Sequence, residues 1–263
     1  VLDDPAEKPV ADAKHPQIQS QPGDRLALDA LTLYTPQYER MLIKALTLRL
    51  NPGDALLITG DSGCGKSSLL RAIAGLWRTG TGVIHHPPLD DIFFLPQQPY
   101  MQYGTLRSQL IYPSAKSSLG DERLLQILEE VHLAPLADRV GGLDAVHDWA
   151  KLLSVGEQQR LAFGRVLVRQ PRIVILDEAT SAVDSSNENA MYERPRASGT
   201  TLISIAHRLS AVRQAHRIVI MERGRMVEAV PHDALVKQTQ GLYARRGSMQ
   251  HGQSPELNPG GAT

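Results

Sequence analysis

Short β-branched apolar runs alternate along this chain with stretches whose apolar residues recur every three or four positions. Ala55 to Thr59 is such a run and precedes a helical period from Ser67 to Trp77. Ile173 to Leu176 precedes one from Ser185 to Arg194, and Thr200 to Ile205 is a third run. This alternation predicts βα units around a parallel sheet. Between about 100 and 165 the pattern changes. No strand signal is visible there, and from Asp121, a candidate N-cap, Leu124, Leu125, Leu128 and Val131 recur at helical spacing. A helical insert in an α/β domain is expected. Pro195, in "YERPRASG", is expected to stop the helix it falls in.

The two ends read differently from the middle. Residues 1–23 hold Pro5, Pro9, Pro16 and Pro22 among polar residues, the composition of an extended linker arriving from something upstream. Residues 248–263 are polar and Gly/Pro-rich, which predicts a disordered tail and leaves 24–247 as the folded body. The start at Val1, without a charged and then apolar leader, reads as an excised fragment.

Composition narrows the class. With 263 residues, 42% of them apolar, the chain can bury one large core or two lobes that share one. Basic and acidic residues both number 28, so no positive excess points to nucleic acid. No apolar run approaches the ~18 residues of a membrane-spanning helix. The one cysteine, Cys64, excludes an internal disulfide and fits a reducing compartment.

The most specific chemistry is "GDSGCGKSS", residues 60–68, which follows the apolar run "ALLITG" and opens a helical period. A strand, a glycine-rich loop and Lys-Ser in that order form a P-loop. Backbone amides of Gly60, Ser62, Gly63, Cys64, Gly65 and Ser68 would close around phosphate oxygens, Lys66 would reach the β and γ phosphates, and Ser67 would ligate Mg²⁺. A plain glycine-rich turn into a helix explains the glycines but not the Lys-Ser.

"RIVILDEATSAVD", residues 172–184, supplies a second half. Its strand ends in Asp177, placed to hold Mg²⁺ through water, and Glu178, placed to polarise the attacking water as general base. Two adjacent acids at a buried strand end repel, which makes sense beside a magnesium nucleotide.

"LLSVGEQQR", residues 152–160, contains the spacing S-x-x-E of a capping box from Ser154 to Glu157, ahead of a helical stretch. That alone explains Ser154 as a helix start. A helix N-terminus bearing Ser154 and Gly156 is also an anion site, since its amides and dipole favour phosphate.

These motifs together resemble the ATP-binding cassette (ABC) ATPases, in which a signature written LSGGQ lies shortly before the strand of the paired acids. The resemblance covers nearly all of 24–247. It implies a RecA-like P-loop NTPase core with a parallel sheet, an N-terminal antiparallel β subdomain and a helical insert carrying the signature. It implies ATP and Mg²⁺ as ligands. It further implies that the signature of one copy covers the γ-phosphate held by the P-loop of a second copy, two ATPs joining two domains head to tail.

By the same resemblance, Gln97 in "FLPQQPY" matches the loop glutamine that senses Mg²⁺ and links to the membrane part, with Gln98 second. Asp184 in "SAVD" matches the loop that crosses the dimer, and His207 in "ISIAHRLS" matches the histidine that contacts the γ-phosphate. An aromatic that stacks on adenine is expected near the first strands, Tyr34 fitting best and Tyr38 standing as the alternative.

"FLPQQPYMQYGTLRSQLIYP" and the Asp148-Trp149 pair before the signature are similar to the peroxisomal fatty-acyl ABC transporters and their bacterial relatives. The resemblance implies an export-type transporter ATPase at the cytoplasmic face of a membrane, a bacterial inner membrane rather than an organelle. Its membrane domain would precede it on one polypeptide. Val155 and Glu157 depart from the LSGGQ pattern; by the resemblance Glu157 is common in this subgroup, whereas Val155 removes backbone freedom next to the phosphate. The rival reading is a soluble ABC ATPase of DNA maintenance or translation, which should show coiled-coil heptads, a second cassette or a basic face. A small P-loop kinase would lack the signature helix.

Overall fold

The computed structural model describes residues 16–116, 118–181, 183, 185–205, 215–222 and 225–231. Asp184, His207 and the C-terminal segment 248–263 lie outside the described residues.

Among those residues a six-stranded sheet forms the centre. Its strands are β4 (Ala55–Gly60), β6 (Ile92–Leu95), β9 (Ile173–Asp177), β10 (Thr201–Ile205), β11 (Arg217–Glu222) and β12 (Arg225–Pro231), in spatial order β12-β11-β4-β10-β9-β6. β12 pairs antiparallel at one edge and the rest run parallel. Period-two alternation sends neighbouring residues to opposite faces. Leu57, Val174, Leu176, Leu202 and Ile218 enter one core, while Leu56, Ile58, Ile173, Ile175 and Ile203 enter the other. Strands buried on both faces read as continuous apolar runs, which is why they were legible.

The second core is closed by α1 (Lys66–Ile73) and by a four-stranded sheet made of β1 (Gln19–Pro22), β2 (Ala27–Tyr34), β3 (Met41–Arg49) and β5 (Gly80–His86). β2 pairs antiparallel with β3 and β5, but β1 lies parallel to β5. The expected linker of residues 1–23 is therefore corrected at its end: Gln19–Pro22 is a strand, preceded by a bridge from Gln17 to Thr79. All four of its residues are exposed, so hydrogen bonds order them, along the backbone and from Ser20 to the His86 ring, and these leave no apolar pattern.

The first core is closed by the helical insert. Its elements are α2 (Leu106–Ile111), α3 (Asp121–Glu130), α4 (Leu136–Val140), α5 (Trp149–Leu152) and α6 (Val155–Arg169), and α7 (Ser185–Ala197) follows β9. The insert is not strand-free: β7 (Tyr103–Thr105) and β8 (Val146–Asp148) pair antiparallel. Strands of three residues are too short to show a period. Gly120, in extended conformation, is the N-cap of α3 rather than Asp121, which is already the first helical residue and whose carboxylate accepts from the Arg107 guanidinium at 2.6 Å. Leu124, Leu128 and Val131 are buried as expected, whereas Leu125 is 41% exposed and Ile127 takes its place. α1 stops at Ile73, and Gly75, at φ +75°, turns the chain out of it before Trp77.

Pro195 does not stop α7, which continues to Ala197. It falls in the last turn, and its carbonyl accepts from the amides of Ser198 and Thr200, so the helix closes around it.

The Asp148-Trp149 pair has a structural part. Trp149 is fully buried, and its indole N–H donates to the Gly104 carbonyl at 2.7 Å, fastening the strand pair β7–β8. Asp148 accepts from Lys151 at the surface. Trp149→Phe should lower unfolding free energy by about 1–3 kcal/mol, the range for a lost buried hydrogen bond plus a smaller ring. Urea unfolding followed by far-UV circular dichroism checks this, and an unchanged midpoint would show that the bond contributes nothing.

Candidate nucleotide site

The loop between β4 and α1 is shaped by what surrounds it. Gly60 ends β4 at φ +148°, paired with Met221 of β11, and a Cβ there would sit 2.1 Å from the Met221 carbonyl oxygen. Gly65 lies at φ +100°, where a Cβ would meet the Leu42 carbonyl oxygen at 3.0 Å. Ser62 and Gly63 are exposed, Cys64 is buried, and Ser67 and Ser68 are half-buried.

Gly65 is the N-cap of α1 and offers no side chain to the first-turn amides, nor is there an acid in that turn. Those donors and the positive end of the helix dipole are left for an anion. Lys66, 8% exposed, donates its Nζ to the carbonyls of Gly60 at 2.9 Å and Asp61 at 2.8 Å. The ammonium therefore sits inside the curve of its own loop.

Ser67 Oγ donates to Asp177 Oδ1 at 3.1 Å, joining the start of α1 to the end of β9. Burial pushes the Asp177 carboxyl above its ordinary value; Ser67, Arg71 and Lys66 pull it down and the neighbouring Glu178 adds to the rise. A half-buried carboxylate next to a hydroxyl is a hard-oxygen pair suited to Mg²⁺, which keeps several waters and phosphate oxygens in its shell. Glu178 follows at φ +52°, unusual for a residue with a side chain, and its amide donates to the Ile205 carbonyl at 3.2 Å.

Gln97 and Gln98 are both exposed just beyond β6, which lies beside β9. Tyr34 closes β2 opposite Met41, one residue from the Leu42 carbonyl that abuts Gly65. Its ring stacks on Tyr38 with centroids 5.5 Å apart, and Trp77 Nε1 donates to its carbonyl.

At the start of α6 the capping box is present: Ser154 Oγ accepts from the Glu157 amide at 3.3 Å, and Glu157 Oε2 accepts from the Ser154 amide at 2.9 Å. Ser154 and Val155 are exposed and Gly156 half-buried, so this helix end faces outward. The Ser154 hydroxyl also donates to Glu157 Oε2 at 2.9 Å, and Arg139 of α4 pairs with Oε1 at 2.8 Å. Burial would raise the Glu157 carboxyl, but the Ser154 amide, the Arg139 guanidinium and the Ser154 hydroxyl outweigh it and hold it below the usual range.

The doubled glutamine has two separate attachments that sequence reasoning missed. Gln158 donates to the carbonyls of Ala150 and Leu153, fixing the turn before α6. Gln159, buried, donates to the Gln97 carbonyl at 3.1 Å and to Ser181 Oγ at 3.3 Å. The α6 helix is thereby tied to the segments after β6 and β9. No local pattern could reveal these partners, which lie 62 and 22 residues away.

The structure thus brings the P-loop residues together with Asp177 and Glu178 at the carboxyl ends of β4 and β9. It ties Gln97 to the signature helix through Gln159.

Residues 43–181 match the family profile described as ABC transporter. An uncharacterized ABC transporter ATP-binding protein of Synechocystis is 53% identical over 203 residues, 77% of this chain and 31% of that protein. ABC transporter D family member 2, chloroplastic, of Arabidopsis thaliana is 40% identical over 248 residues, 77% of this chain and 35% of that protein. The chain spans about a third of the length of these curated relatives. A bacterial Atm1-family ABC exporter solved with ATP bound matches with a TM-score of 0.76 at 26% identity, over 91% of this chain and 44% of that one.

Proposed function

The chain belongs to the ABC transporter family, and from that premise we propose that it is the ATP-hydrolysing motor of a membrane exporter. Two copies would sandwich two Mg-ATP head to tail, and hydrolysis would reset the cycle. The observation that carries this is the Ser67–Asp177 bond beneath an uncapped α1 N-terminus, a phosphate cradle and a cation seat in one place.

In this reading Lys66 and the amides of residues 60–68 hold the phosphates, while Ser67, Asp177 and Gln97 hold Mg²⁺. Mg²⁺, when bound, supplies charge neutralisation on the β and γ phosphates. Glu178 takes the proton of the attacking water as general base, so no covalent intermediate forms. Tyr34 stacks on adenine. Ser154 and Gly156 of the second copy close over the γ-phosphate, with Asp184 and His207 completing the site by their motifs. Catalysis is then positioning plus charge stabilisation.

A membrane domain on the same full-length polypeptide is the second partner, with this domain at the cytoplasmic face of a bacterial inner membrane. Residues 24–247 with the described strand before them would be the ATPase unit. The named relatives are transporters or an exporter, and no observation favours the DNA-maintenance or translation alternative.

Sedimentation of the Glu178→Gln chain with and without Mg-ATP tests the sandwich. An ATP-dependent shift from monomer to dimer is expected, and Ser154→Arg in the same background should abolish it by placing a bulky cation where the neighbour's phosphate must approach. A dimer that forms equally well with Ser154→Arg would overturn the role of the signature helix.

A further inference from the structure

Glu157 places a full negative charge in the first turn of α6, the helix end that the sandwich brings to a phosphate. A helix N-terminus offers an anion roughly half a positive charge. Ionised Glu157 alone would more than cancel it. The glutamine of the LSGGQ pattern carries no such charge, so this chain needs a compensating group that the pattern does not specify.

Arg139 fills that requirement. It comes from α4, 18 residues before Glu157 in the chain, and its guanidinium meets Oε1 at 2.8 Å while Oε2 takes the Ser154 amide and hydroxyl. With Arg139 counted, the sum at this end of α6 returns to positive.

We propose that Arg139 is a positioning residue for the signature helix: through Glu157 it restores the positive end of α6 on which closure over a second copy's nucleotide depends. This rests on the head-to-tail reading above. The interaction is charge on charge and therefore specific to a background that contains Glu157.

The test measures the dimer dissociation constant by sedimentation equilibrium at saturating Mg-ATP in the Glu178→Gln chain, then with Arg139→Ala, Arg139→Lys, Glu157→Gln and the Arg139→Ala/Glu157→Gln pair. Arg139→Ala should weaken the dimer about tenfold, the scale of one charge acting over several ångströms at a half-exposed site. Arg139→Lys should recover most of that loss, and Arg139→Ala should cost nothing further once Glu157 is Gln.

An equal loss in both backgrounds would mean that Arg139 acts by packing and would overturn the proposal. So would an ATP-driven dimer indifferent to Arg139→Ala. If the parent chain forms no dimer with Mg-ATP, the head-to-tail reading fails and takes this inference with it. Far-UV circular dichroism on each variant separates weak association from misfolding.

Discussion

Glu178→Gln should cut ATP turnover by at least about a hundredfold while leaving nucleotide binding within a few fold, because a general base contributes roughly 10² to 10⁴ in rate. The amide is nearly isosteric with the carboxylate. It retains the φ +52° turn at the end of β9 and the amide bond to Ile205, so the Ser67–Asp177 contact stays in place. What the amide cannot do is accept a proton from water. Losing the second charge also relieves Asp177, whose carboxyl Glu178 helps to raise, so the cation seat should not weaken. Phosphate release at steady state, read beside equilibrium titration with a fluorescent ATP analogue, separates the two effects. Turnover at the wild-type rate would remove Glu178 from the chemistry.

Gly60→Ala should destabilise the fold by about 3 kcal/mol or more, in the range reserved for overpacking against atoms that cannot move. The added methyl would lie 2.1 Å from the Met221 carbonyl oxygen and 3.0 Å from its carbon, and both belong to the last pair of the β4–β11 ladder, inside the central sheet. Either β11 separates from β4 or the P-loop is pushed out of its curve, and in both cases nucleotide affinity falls with stability. Gly63→Ala is the control: its methyl meets nothing within 4 Å, so only the strain of φ +74° remains, about 1 kcal/mol. Chemical unfolding of the two variants should therefore differ by a clear margin. Equal midpoints would show that the loop yields more easily than its packing indicates.

The legible parts of this chain were those whose cause is local. Lys66 and Ser67 close a short glycine-rich stretch that directly follows a strand, and the apolar runs of β4, β9 and β10 come from burial on both faces. The capping box needs only Ser154, Glu157 and the turn between them. Where the cause was distant, the sequence was silent. Gln19–Pro22 is ordered by β5, some 64 residues on, and carries no apolar face of its own. Asp121 reads as a cap by residue type, yet α3 is capped one residue earlier and the Asp121 carboxylate serves Arg107, a partner 14 residues back that local spacing does not reveal. Gln159 and Arg139 act on partners that only the folded chain brings near. Pro195 misled for the opposite reason: the local rule is sound, but it applies to helix interiors, and the last turn of α7 supplies its own closure.

The parallel pairing of β1 with β5 has a mechanical meaning. Gln19 to Pro22 run beside Val83 to His86, with the Ile18 amide bonded to Arg78, the Gly23 amide bonded to His86, and Ser20 bonded to the buried His86 ring. Tension drawn along this strand from its N-terminal side loads that row of bonds together in shear, whereas a hairpin edge pulled at its end would unzip one bond at a time. If a membrane domain is joined upstream as proposed, Gln19–Pro22 would serve as a tether, passing a pull into the sheet that backs the P-loop without first coming undone.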